Sequence, residues 1–116
     1  MKKWLFSIVT LALAVSLYAL EDADRSLIQG MIQRFTYTWN HEEGKGMADL
    51  YATDAEFVNI FGSKFSGKTE IEVRHQHILK TFLKHSKFEI LNTELREIQP
   101  GVVIVSVSWS SVLDKK

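Results

Sequence analysis

Two polar side chains in this 116-residue sequence stand among apolar neighbours at spacings that could serve chemistry, His75 and Asn59. His75 lies four residues after Ile71 and four before Leu79, so on a helix it shares their face. An imidazole titrates near neutrality, and one facing a cavity can act as a general base or polarise a carbonyl. The same spacing also suits a core histidine bonded to a backbone or hydroxyl group, and both readings stand. Asn59 alternates with Phe57 and Phe61 in a β-prone run. An amide between two aromatics suits a mostly apolar pocket with one orienting group, or an amide that bonds backbone at a strand irregularity. Tyr37, Trp39, Tyr51, Leu79 and Trp109 are further candidates to line that pocket. The aromatic ones among them can stack on a flat ligand, with ordinary core packing as the alternative for each.

Other chemistries find little support. The chain has no cysteine, which removes disulfides, thiol catalysis and thiolate metal sites. His75 and His77 are two apart and diverge on a helix, so they cannot share an ion as an i, i+4 pair does. His41 with Glu42 and Glu43 reads as a solvated loop, and Asp54 in Ala52–Thr53–Asp54–Ala55 reads as a turn or cap. There is no phosphate loop, nucleophile elbow or dinucleotide fingerprint, and no metal or cofactor is expected. Fourteen basic and fourteen acidic residues give a net charge of zero. With no basic patch, nucleic acid is not an expected partner.

The elements that must position these residues begin after residue 19. Lys2 and Lys3, the apolar run Trp4–Val15 and the small residues Ala14, Ser16 and Ala19 have the layout of a secretory signal peptide. The apolar run is shorter than the ~20 residues of a bilayer span. Residues 1–19 are therefore expected to be a signal peptide, and residues 20–116 an exported domain, periplasmic or secreted. Without the two signal lysines, 14 − 2 = 12 basic residues face 14 acidic ones, a charge of about −2.

Asp22 to Asn40 carries a helical period through Leu27, Ile28, Met31, Ile32, Phe35 and Trp39. Gly30 within it costs about 1 kcal/mol against alanine, which suggests a close neighbour there. A short second helix is expected around Met47, Leu50 and Tyr51. Glu56–Phe61 reads as a strand, and Lys64–Ser66 as its hairpin return. The longest helix is expected over about Thr69 to His85, with Ile71, Ile78, Leu79 and Phe82 as its apolar stripe. From Lys87 to Ile98 the β alternation slips phase, since Phe88 and Ile90 share one face and Leu91, Thr93 and Leu95 the other. That slip predicts a bulge or bend near Leu91–Asn92. After the Pro100–Gly101 turn, Val102–Val112 is a strand apolar on both faces at its start. An antiparallel sheet usually keeps one face in water, so this pattern points to a homodimer interface.

Helices segregated against a curved antiparallel sheet make an α+β fold, in the order α-α-β-β-α-β-β. Taken together, Trp39–Asn40, Ala48–Tyr51, Asp54–Gly62, Gly67 with Ile71–Glu72, His75, Phe82 and Val102–Trp109 resemble the SnoaL-like, nuclear-transport-factor-2-like superfamily. Within it the chain is closest to the SgcJ/EcaC group, and the likeness runs through most of Leu27 to Ser111. The resemblance implies a cone-shaped curved sheet packed against a long helix and two N-terminal helices. It also implies a homodimer and a pocket for a small hydrophobic or aromatic molecule. Any enzyme activity would be cofactor-free isomerisation, dehydration or cyclisation, with His75 as acid/base and Asn59 as orienting amide. A non-catalytic dimeric binding or assembly module is the alternative. The superfamily continues for two strands beyond the one ending near Trp109, so a domain incomplete at its C-terminus is expected, as a fragment or as a shorter member of the superfamily. Asp114–Lys115 resembles the opening of a hairpin turn.

Overall fold

The computed structural model describes residues 20–113. The expected signal peptide over 1–19 and the turn at Asp114–Lys115 lie outside them. Helix α1 spans Asp22–His41, with Asp22 and Asp24 at its positive end. One 3-10 turn (Met47–Leu50) follows, then strands β1 (Glu56–Val58) and β2 (Lys64–Ser66), helix α2 (Lys68–Lys80), and the long strands β3 (Ser86–Gln99) and β4 (Val102–Leu113). All four strands pair antiparallel, as two separate two-stranded ladders, β1–β2 and β3–β4.

The core lies where the C-terminal half of α1 meets the 3-10 turn, α2 and the start of β3. Trp39, Met47, Leu79 and Phe88 are buried together there, and Phe35, Ile78, Leu83 and Ile90 pack around them. Aromatic rings form a chain through this core. Trp39 and Phe88 lie 5.0 Å apart between centroids, and Trp109 stacks on Phe88 at 5.0 Å.

The phase slip in β3 is a bulge. The register breaks between Ile90 and Asn92, and again between Glu97 and Gln99. The β3–β4 hairpin closes through Pro100–Gly101, with Gly101 at φ +81°. Proline first and a left-handed glycine second is the signature of a type II turn.

Several expectations need correcting. The second N-terminal helix is one 3-10 turn, closed by Tyr51 N on Ala48 O and capped at its N-terminus from α2. The Glu72 carboxylate on α2 accepts from Gly46 N and, at 3.3 Å, from Ala48 N. The β1 strand stops at Val58 instead of Phe61. Asn59 Oδ1 accepts from Phe61 N (3.0 Å) and Ser63 N (2.9 Å), which folds 59–63 into a turn. Helix α2 ends at Lys80, where Thr81 N and Leu83 N both bond Ile78 O. At 13 residues it is shorter than the 20 of α1, and Phe82 lies beyond it and exposed. In the single chain the apolar start of β4 leaves Val102, Ile104 and Val105 exposed.

Gly30 and Gly44 are opposite cases. A Cβ on Gly30 would meet nothing within 4 Å, so the expected close neighbour is absent. A Cβ on Gly44 would lie 3.2 Å from Gln76 N, His75 C and Leu79 Cδ1, at a φ of +81°. Gly44 is where the chain leaving α1 presses against α2. Gly30→Ala should stabilise the domain by about 1 kcal/mol, and Gly44→Ala should destabilise it by about 2–3 kcal/mol. Urea denaturation of both variants checks the pair; equal midpoints would refute the close approach at Gly44.

Candidate functional site

The C-terminus of α1 is fastened to the start of β3 by two neighbouring side chains. Trp39 Nε1 donates to Ser86 Oγ at 3.0 Å. The Asn40 amide bonds both backbone groups of Phe88: Nδ2 donates to Phe88 O at 2.9 Å and Oδ1 accepts from Phe88 N at 2.7 Å. Phe88 sits opposite Ser111 in the ladder. Its N–H and C=O point away from β4, and Asn40 takes the place of a neighbouring strand at this edge.

Beside this joint lies a partly open cavity of about 230 Å³, lined by residues 39–41, 43, 79 and 83–86. Its apolar part is Trp39, Leu79 and Leu83. Its polar part comes from the segment leaving α1, through Asn40, His41 and Glu43, and from the loop entering β3, through Lys84, His85 and Ser86. Ser86 Oγ already accepts from Trp39, which leaves its O–H free to donate.

Trp39 and Leu79 are the two expected pocket residues that this cavity contains. His75 is on the buried side of α2 as expected, only 3% exposed, but it lies in the core and does not line the cavity. Its Nδ1 bonds Ile71 O at 2.8 Å, and since a carbonyl only accepts, Nδ1 carries the proton. Its ring meets Phe57 edge-on at 4.8 Å, and Phe35 and Trp39 at 6.0 and 6.3 Å. Burial among these rings lowers its pKa. The Ile71 bond opposes that shift and the Arg74 charge adds to it.

The other candidates are dispersed. Asn59 serves its own turn, and Phe61 projects outward at 75% exposure. Phe57, Asn59 and Phe61 therefore do not share one wall. Tyr37 is on the exposed side of α1, its ring tilted against His41 at 4.8 Å with Arg34 over its ring. Tyr51 is half-buried at the end of the 3-10 turn, and burial raises its pKa. Trp109 covers Phe88 and keeps 44% of its surface exposed.

The polar rim was not legible in sequence because Glu43 sits in a loop, and Lys84 and His85 lie beyond the observed helix end at Lys80, where the apolar period predicts continued helix. The one available signal was the cluster His41–Glu42–Glu43 directly before a glycine. Among the described residues, no group of three His, Cys, Asp or Glu could hold a metal ion. None of the described helices is long and apolar enough to cross a membrane.

The fold defines the class: an α+β protein of cystatin-like fold. Over 81% of its length the chain superimposes on a domain of unknown function with a cystatin-like fold from Nostoc punctiforme, with a TM-score of 0.75 and 24% identity. Over 72% of its length it superimposes on an uncharacterized protein with a cystatin-like fold from Caulobacter vibrioides, with a TM-score of 0.69 and 31% identity. The chain spans 58% and 59% of the lengths of these two proteins. No protein-family model matches the chain. No curated protein matches it.

Proposed function

We propose that the exported, mature chain is a small-molecule-binding module of the nuclear-transport-factor-2-like superfamily, closest to its SgcJ/EcaC group. In this reading β3 and β4 are part of that superfamily's curved, cone-shaped sheet. Its binding site is the cavity at the α1–β3 joint, and that cavity is the observation that carries the reading. Its floor of Trp39, Leu79 and Leu83 offers apolar contact to a small molecule, and the polar groups of residues 40, 41, 43 and 84–86 converge above it. Binding without proton transfer fits best, because His75 is bonded to its own helix and lies outside the cavity.

The test is a thermal-shift and tryptophan-fluorescence screen of small aromatic and aliphatic compounds on the purified chain. Leu83→Gln and His75→Gln are run in parallel. Hits should weaken at least tenfold in Leu83→Gln and bind His75→Gln with little change. A compound that instead lost affinity only with His75→Gln would move the site to the core histidine and restore the acid/base reading.

Homodimerisation is a second reading, favoured by β4. Its twelve residues carry no charge and no proline, the usual protections of a strand edge. Ile104, Trp109, Val112 and Leu113 are exposed along it. Light scattering should give a dimer mass for the chain and a monomer mass for Ile104→Lys. The same mass for both would exclude β4 from any interface.

A further inference from the structure

The backbone around the cavity narrows the class of ligand. Among the described residues five glycines adopt positive φ, as glycine readily does. Two other residues do so as well, Glu43 at φ 51° and His85 at φ 65°, and both line this one cavity from opposite segments. A side chain at such a position strains the backbone, and retained strain of this kind gathers at ligand-contacting sites. Glycine follows directly at Gly44, so the local chain accommodates glycine where the fold alone decides.

The charges at the rim are complementary to two different groups. Among the described residues the one ion pair is Lys64–Glu56, and Glu43 and Lys84 both stand exposed at the rim. Glu43 can only accept hydrogen bonds and Lys84 can only donate them. Glu43 also follows the C-terminal end of α1, where the helix dipole favours a cation. A ligand complementary to both would offer an ammonium to Glu43 and a carboxylate to Lys84. Between them it would lay an apolar group on Trp39, Leu79 and Leu83. The volume, about 230 Å³, falls below the roughly 300–1,000 Å³ of sites for drug-sized ligands.

We infer that the cavity binds a small zwitterion with an apolar side chain, of the size of a free apolar amino acid. This rests on the cavity being the binding site. Glu43 and His85 are held at strained positions for contact with that ligand.

Calorimetric titration of the purified chain tests the inference with L-phenylalanine, L-leucine, phenylacetate, phenethylamine and indole. The two amino acids should bind, and phenylacetate and phenethylamine, each lacking one charge, should bind at least tenfold more weakly. Glu43→Gly should raise the melting temperature by relieving strain, yet weaken L-phenylalanine at least tenfold while leaving phenylacetate unchanged. Lys84→Met should weaken L-phenylalanine similarly and leave phenethylamine unchanged. If phenylacetate, phenethylamine or indole binds as tightly as L-phenylalanine, the zwitterion is wrong and the cavity remains a binding site. Unchanged L-phenylalanine affinity in both variants also overturns the inference. If none of the five compounds binds, the inference is overturned, while the binding reading falls only if the wider screen also yields no ligand.

Discussion

Asn40→Ala should cost the domain about 2–4 kcal/mol and lower its melting temperature by roughly 10 °C or more. Deleting a half-buried polar side chain at a helix end usually costs far less. The difference lies in what Asn40 holds. Its amide satisfies both the N–H and the C=O of Phe88, a residue 5% exposed whose backbone faces no strand on that side. Alanine would leave two backbone polar groups without protein partners beside the buried Trp39 and Phe88 rings. An unsatisfied buried group costs its full desolvation, about 1–3 kcal/mol each. Asn40→Asp keeps the acceptor for Phe88 N–H but turns a carboxylate oxygen toward Phe88 O, so its loss should fall between wild type and alanine. Chemical denaturation followed by far-ultraviolet circular dichroism measures all three. An alanine variant within 0.5 kcal/mol of wild type would mean that Asn40 does not hold α1 on β3.

The pair Trp39–Asn40 was legible in the sequence, but its work was not. The partners, Ser86 and Phe88, are 47 and 48 residues further along, and no local pattern says which strand backbone lacks a neighbour. The β3 bulge was legible for the opposite reason. A period-two alternation that changes phase cannot keep its apolar residues on one face without an extra residue. Where expectation failed, a polar side chain outweighed intrinsic preference. Asn59 folded the β-prone Ile60–Phe61 into a turn. The class of fold survived these local changes because it depends on the order of the apolar segments.

The same contrast explains the site. The spacing Ile71–His75–Leu79 correctly placed His75 on the inner face of its helix, and all three residues are buried. Spacing does not say whether that face meets a cavity or a packed core. It meets a core of aromatic rings, while the open volume lies one turn further on, at Leu79. The two loops that complete the cavity carry their polar residues at positions defined by backbone conformation, which sequence periodicity does not report.

His75 should make the domain sensitive to acid. Its folded pKa is lowered, chiefly by burial, so the native state favours the neutral ring. The unfolded chain, with a histidine pKa near 6.5, takes up the proton more readily. Stability from the neutral, buried ring is therefore fully present above about pH 6.5 and is lost as pH falls through the folded value. One proton of difference sets a maximal slope of about 1.4 kcal/mol per pH unit in that window. Phe57, Phe35 and Trp39 offer the imidazolium no acceptor, and Arg74 is a like charge in sequence contact. His75→Leu retains an apolar side chain of comparable size. It sacrifices only a bond to Ile71 O, a carbonyl within α2 that is already placed to accept the backbone N–H of residue 75. Between pH 7.5 and pH 5 the wild type should lose more stability than His75→Leu, by at least about 1 kcal/mol. Urea unfolding at half-unit pH steps measures both slopes, and the subtraction removes the part due to the other histidines. Parallel curves would show that His75 binds its proton equally well folded and unfolded. Burial would then not be holding the ring neutral, and the core would have to open to water at that position.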